Sequence, residues 1–174
     1  MTDLLAARLL RDVPDFPTTG VVFKDITPVL ADGAALQEII DRFVEWAAAR
    51  SPDVVAGIES RGFLFGVPLA LALGVGFVPL RKAGKLPRET HQREYALEYG
   101  AGVLEMHRDA LRPGQRALIL DDLLATGGTA SAAAHLVERG GGRVVGLGFL
   151  LELRALQGRA ALSGYDVHAL LPCD

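Results

Sequence analysis

Asp121 and Asp122 directly follow the apolar run 117–120, and after Leu123-Leu124 comes the small-residue loop Ala125-Thr126-Gly127-Gly128-Thr129. Adjacent carboxylates at the end of a buried strand repel each other, so they require a cation or hydroxyl donors nearby. The vicinal hydroxyls of a ribose meet that requirement, and Mg²⁺ on a sugar pyrophosphate adds compensating charge. The loop residues are small enough for backbone N–H groups to close around a phosphate. The helix that follows contributes partial positive charge, and Thr126 and Thr129 contribute hydroxyls. One strand-loop-helix unit therefore offers acceptors for a ribose beside donors for its 5-phosphate. The plainer alternative is a helix cap next to two solvated aspartates. No lysine follows the glycines, so the loop is not a Walker loop. Gly146-Leu147-Gly148 leads to Leu151 where a dinucleotide fingerprint requires glycine.

Cations stand at two other places. Arg81, Lys82 and Lys85 follow the apolar stretch 75–80; such a cluster is either a solvated basic turn or a polyanion site. Arg61 lies in the loop Glu59-Ser60-Arg61-Gly62 after the apolar stretch 54–58, where it could equally form a surface salt bridge with Glu59. Ser60 lacks the G-x-S-x-G spacing of a nucleophile elbow and reads as structural. His91, His107, His135, His168 and Cys173 form no metal-ligand spacing, so no dedicated protein metal site is expected.

These groups work together only if buried elements bring them to one place. Residues 54–58, 75–80, 116–120, 144–151 and 167–171 read as buried strands alternating with helices at 63–73 and 129–139. That pattern specifies an α/β fold: an open, mainly parallel twisted sheet flanked by helices. Ligands bind such sheets at the carboxyl ends of the strands, which places the chemistry just after Ile58, Leu80 and Leu120. Ahead of the sheet, 4–11 reads as a short amphipathic helix, 21–23 as extended, and 34–50 as a helix capped by Asp32. Tyr95, Leu97 and Tyr99 alternate with other residues like a strand or ribbon.

The chain has 174 residues, 50% of them hydrophobic and 22% charged, with net charge −3 and pI about 5.8. This is enough for one domain with a sizeable core, and it carries no bulk basicity toward nucleic acid. Residues 63–80 lack charge over a length near that of a membrane span, but Gly66, Pro68, Gly74, Gly76 and Pro79 break it into a helix, a turn and a strand. No membrane association is expected. The single Cys173 fits a cytoplasmic location.

The string from Leu118 to Thr129 resembles the phosphoribosyl pyrophosphate (PRPP) motif of type I phosphoribosyltransferases: apolar residues, two acidic residues, then a Thr-Gly-x-Thr loop. Three further segments are similar to the adenine-specific members of that family. They are Phe16-Pro17 through Leu30, Ala56 through Gly66, and Arg81-Lys82 through Pro87 with Leu97-Glu98-Tyr99-Gly100. The likeness covers about 15–165. It implies a single domain over 1–174, with a small N-terminal base-binding segment at about 1–33 and a mobile hood at about 82–100.

The resemblance also assigns roles. Asp121 and Asp122 would hold the ribose hydroxyls, and Ala125, Thr126, Gly127, Gly128 and Thr129 the 5-phosphate. Arg61, Arg81, Lys82, Lys85 and Tyr99 would face pyrophosphate. Val22 and Lys24 would contact adenine through their backbones while Phe23 stacks on it; many relatives carry arginine in place of Lys24, and some a basic residue in place of Ala83. Glu98 would take up the adenine proton, and Arg61 would act close to the reacting groups. Adenine and PRPP would give AMP and pyrophosphate, with Mg²⁺ carried by PRPP, in a homodimer that serves purine salvage. The rivals are a phosphoribosyltransferase for another base and a PRPP-sensing regulator that binds nucleic acid. The first lacks a clear lysine for a 6-oxopurine after the PRPP loop, and the acidic pI opposes the second.

Overall fold

The computed structural model describes residues 4–96 and 101–173. The chain forms two compact units, Met1–Arg42 and Phe43–Asp174. In the first, helix α1 spans Leu5–Leu9 and strand β1 spans Arg11–Pro14. The expected helix over 4–11 is therefore shorter, because Arg11 to Pro14 pair antiparallel with β2, Val22–Asp25. A short helix α2, Thr27–Ala31, was not expected; the Asp25 carboxylate accepts from the Thr27 N–H and hydroxyl, each at 2.9 Å, and so starts it. Asp32 caps helix α3, Gly33–Ala48, as expected, accepting from the Ala35 N–H at 2.9 Å. The boundary between the two units falls within α3.

The second unit is built on a seven-stranded sheet. Its strands are β3 Val54–Ile58, β4 Gly76–Lys82, β5 Thr90–Ala96, β6 Ala101–His107, β7 Arg116–Leu124, β8 Arg143–Leu153 and β9 Val167–Cys173. The spatial order is β5-β6-β4-β3-β7-β8-β9. The run from β4 to β9 is parallel, while β6 pairs antiparallel with both β4 and β5. The mainly parallel open sheet is thus the expected one, with an antiparallel hairpin on one edge.

Parallel strands are covered on both faces and therefore read as continuous apolar runs. All of β3 is buried, as are Ala117 to Leu120 of β7. Helix α4, Gly62–Leu73, and helix α5, Gly128–Arg139, follow β3 and β7. Stretch 63–80 resolves into α4, a left-handed Gly74 and β4. Its helix is less buried than its apolar sequence suggests: Leu64, Val67 and Leu71 are 44%, 40% and 77% exposed. No helix among the described residues is long and apolar enough to cross a membrane.

Two boundaries differ from the sequence reading in ways that matter for the site. Strand β7 does not stop at Leu120; pairing with β8 carries it through Leu124, so Asp121 and Asp122 belong to the strand itself. Strand β6 was not foreseen, and it supplies Glu105, a carboxylate only 4% exposed that accepts from the Gly84 N–H and the Gln92 amide.

Candidate active site at three strand ends

Register brings the chemistry together. Ile58 of β3 stands beside Leu80 of β4, and Gly57 stands beside Leu120 of β7. The residues that follow are therefore level with one another, and Glu59, Ser60, Arg61, Lys82, Asp121 and Asp122 line one cavity of about 290 Å³, with Tyr95 and Thr129. All lie in the second unit.

Arg61 pairs with the Asp122 carboxylate, whose side chain is 9% exposed. The sequence alternative of a surface bridge from Arg61 to Glu59 is not the pairing found. Glu59 instead turns to the other strand end. One of its oxygens accepts from Lys85 Nζ at 2.6 Å, and the other from the Lys82 N–H at 3.0 Å and Arg81 Nε at 3.2 Å. Burial pushes the Glu59 carboxyl upward, but the bonds from Lys85, the Lys82 backbone and Arg81 outweigh it and hold the pKa at about 2. A carboxyl depressed in the folded state stabilises the fold above its ordinary range, and that contribution is lost only as pH falls toward about 2.

Asp121 behaves in the opposite way. Loss of hydration, then the charge of Asp122, raise its pKa well above the ordinary value. Its carboxylate accepts from the Asp122 N–H at 2.9 Å. Gly62 keeps this region close-packed: a Cβ there would come within 2.5 Å of the Leu120 carbonyl oxygen, so the start of α4 lies directly against β7.

The glycine loop forms a second, smaller pocket of about 70 Å³, lined by Asp121 and by residues 123–130. Asp121 and Thr129 border both cavities, so the acidic pair and the loop face adjoining spaces. Gly127 adopts the left-handed conformation at φ +83° that the turn into α5 requires.

The loop is braced by a segment that the sequence reading passed over. The 3₁₀ helix Gly158–Leu162 lies so close that a Cβ on Gly158 would sit 2.2 Å from the Ala125 carbonyl oxygen, and one on Gly127 2.3 Å from that of Gly158. Arg159 anchors the segment through two bonds to Glu152 at 2.7 and 2.8 Å and one to the Val167 carbonyl at 2.9 Å. Nothing in the local sequence marks Gly158, because its partner lies far away in the chain.

The other expected site residues are placed as follows. Val22, Phe23 and Lys24 belong to the first unit, on β2. Val22 is exposed; half-buried Phe23 meets Phe16 edge-on at 5.2 Å; the Lys24 ammonium is bound by Asp12 at 2.7 Å. Glu98 and Tyr99 lie outside the described residues. Tyr95, which sequence reading took only as part of an alternating strand, lines the cavity. Burial, then the charges of Arg139 and Arg108, lower the His91 pKa. No cluster of three or more histidine, cysteine or acidic side chains suited to a metal occurs among the described residues.

The parallel sheet thus carries an acidic pair, a glycine loop and a cationic turn at neighbouring strand ends. The phosphoribosyl transferase domain model matches residues 25–169. An adenine phosphoribosyltransferase of Clostridium perfringens is 54% identical over 165 residues, covering 95% of this chain and 96% of the relative. The crystal structure of adenine phosphoribosyltransferase from Thermoanaerobacter pseudethanolicus is 53% identical with TM-score 0.94, covering 97% and 98% of the two chains. The Saccharomyces cerevisiae enzyme, complexed with an imino-altritol bisphosphate and adenine, is 42% identical with TM-score 0.90, covering 95% and 96%. The chain belongs to the phosphoribosyltransferase family and, within it, to the adenine phosphoribosyltransferases. It is accordingly a pentosyltransferase.

Two outcomes follow. Asp121→Asn keeps an oxygen to accept the Asp122 N–H while removing a carboxylate that burial and Asp122 disfavour. A carboxyl raised in the folded state takes stability away as pH rises through its folded pKa. The variant should therefore melt higher at neutral pH, by about 2–4 °C, yet bind PRPP more weakly; a lower melting temperature would contradict this reading of the pair. Gly158→Ala should push the Ala125 carbonyl aside and cut kcat/KM for PRPP by about a hundredfold, measured by initial rates; an unchanged value would show that the brace does not set the loop.

Proposed function

We propose that this chain joins adenine to the ribose 5-phosphate of PRPP, releasing pyrophosphate and forming AMP for purine salvage, with the ends of β3, β4 and β7 as the PRPP site. The observation that carries the reading is the shared register, which sets Arg61, Lys82 and the Asp121-Asp122 pair around one cavity beside the glycine loop.

In this reading Asp121 and Asp122 accept from the ribose hydroxyls, and residues 125–129 hold the 5-phosphate by backbone N–H groups and threonine hydroxyls. A hydrogen bond from a ribose hydroxyl gives the crowded Asp121 a donor, while Asp122 is paired with Arg61. PRPP would bring Mg²⁺ with it, and when bound that ion would supply charge neutralisation for the pyrophosphate. As the bond to pyrophosphate breaks, positive charge grows on the ribose ring. Arg61, Arg81, Lys82 and Lys85 stabilise the leaving group, joined by Tyr99. Residues 82–100 exclude water so that PRPP is not hydrolysed. Adenine is recognised by the backbones of Val22 and Lys24 and by the ring of Phe23. Lys24 contributes through its backbone because its ammonium is held by Asp12. Glu98 accepts the proton that leaves adenine as the bond to the ribose forms.

The chain acts as a homodimer in the cytoplasm. Helix α4 supports the first point: Leu64, Val67 and Leu71 recur at helical spacing on an exposed face. Light scattering should give twice the chain mass, and Leu71→Glu should shift it to one; a monomeric wild type would contradict the dimer.

A panel of purine and pyrimidine bases with Mg²⁺ and PRPP, followed by pyrophosphate release, tests the reaction. Turnover with adenine alone is expected, and Glu98→Gln should lower kcat by about a hundredfold with PRPP affinity unchanged. PRPP-dependent binding to RNA or DNA without turnover of any base would overturn the proposal, and full activity of Glu98→Gln would remove the proton-acceptor role.

A further inference from the structure

Glu59 has no place in the reaction as described, yet its side chain is only 8% exposed and it makes the densest set of charged contacts at the site. Its backbone is fixed first: the Glu59 N–H donates to the Leu80 carbonyl at 2.9 Å, which continues the β3–β4 pairing. Its carboxylate then gathers the whole start of the basic turn. Lys85 Nζ reaches one oxygen at 2.6 Å, while the Lys82 N–H at 3.0 Å and Arg81 Nε at 3.2 Å reach the other. A second Arg81 nitrogen approaches the first oxygen at 3.5 Å, and Arg81 also donates to the Lys85 carbonyl at 3.0 Å. The turn is thereby closed on itself, with two like-charged side chains pulled to one anion.

Such a group could serve the leaving group in one of two opposed ways. It could stand in for pyrophosphate and compete with it, or it could hold the cations where pyrophosphate meets them. Geometry favours holding. The carboxylate is buried and bonded at both oxygens, and it grips a backbone amide as well as side chains, so moving it away would strip the turn of its support. An ammonium has three protons, and this bond takes one from Lys85. Lys82 lines the cavity, and its N–H is held by Glu59, so the backbone that carries its charge needs little further ordering.

We propose that Glu59 is the positioning residue for pyrophosphate: it fixes Arg81, Lys82 and Lys85 in the arrangement that binds the leaving group of PRPP. The proposal rests on the reading of this cavity as the PRPP site. It predicts a split among kinetic constants that loss of fold alone would not produce. In Glu59→Gln an amide N–H₂ faces cations and donors that now lack their anion. KM for PRPP should rise about ten- to a hundredfold, matching the loss of charge-assisted bonds, while KM for adenine changes less than about twofold.

Calorimetric titration with magnesium pyrophosphate, which needs no turnover, should show weakening by a similar factor. Glu59→Asp keeps the charge but not the reach, and it should show the same split at smaller size; it also serves if Glu59→Gln fails to fold, as judged by circular dichroism. Pyrophosphate binding equal to or tighter than wild type in the folded variants would overturn the proposal, the tighter result marking Glu59 as a competing anion. An equal rise in both KM values would overturn it as well. A wild-type chain whose pyrophosphate binding is weakened by Glu59→Gln but which turns over no base would instead reject the reaction and leave the role of Glu59 standing.

Discussion

The site depends on charge balance at three neighbouring strand ends. Glu59, Asp121 and Asp122 are carried there by strands whose interiors are wholly apolar, so bulk water cannot neutralise them fully. Each solves the problem differently. Glu59 collects Arg81, Lys85 and the Lys82 amide from β4. Asp122 takes Arg61 from the start of α4. Asp121 is left beside a like charge, with its carboxyl pushed up by lost hydration and by Asp122. The two ion-paired acids fix cations, and the strained one is suited to accept hydroxyl donors from a ligand.

The glycine loop obeys a steric constraint rather than an electrostatic one. Backbone meets backbone where Gly127 and Gly158 touch, and neither position has room for a side chain. The Glu152–Arg159 pair holds the outer segment, with Glu152 5% exposed and its carboxyl lowered chiefly by the Arg159 bond. The glycine loop is therefore positioned by a part of the chain that follows β8. Strand β8 runs beside β7 as far as Glu152, joining both devices in one element.

Much of this was legible in the sequence for a simple reason. Buried parallel strands are uninterrupted apolar runs, so β3, β7, β8 and β9 declare themselves, and Asp32 announces α3. The acidic pair, the glycine loop and the cations after Leu80 were legible because charges and glycines at strand ends are costly without a ligand. What failed to show was non-local. Strand β6 does not resemble a buried strand, since it belongs to an antiparallel edge hairpin. Helix α1 stops early because Arg11 to Pro14 find a partner strand. Strand β7 runs past its acidic residues because β8 continues to pair with it. The choice of Glu59 for Lys85, and of Arg61 for Asp122, follows from register between strands distant in sequence, as does the contact of Gly158 with Ala125.

The shared register of β3, β4 and β7 predicts that a sugar pyrophosphate binds across their ends. A crystal structure of the chain soaked with magnesium and PRPP in the absence of adenine tests it most directly. The 5-phosphate should lie among the backbone amides of residues 125–129, the ribose hydroxyls on Asp121 and Asp122, and the pyrophosphate against Arg61, Lys82 and Lys85, with Glu59 still bound to the Lys82 amide. PRPP bound with its phosphates away from the glycine loop, or a ribose out of reach of both aspartates, would contradict it.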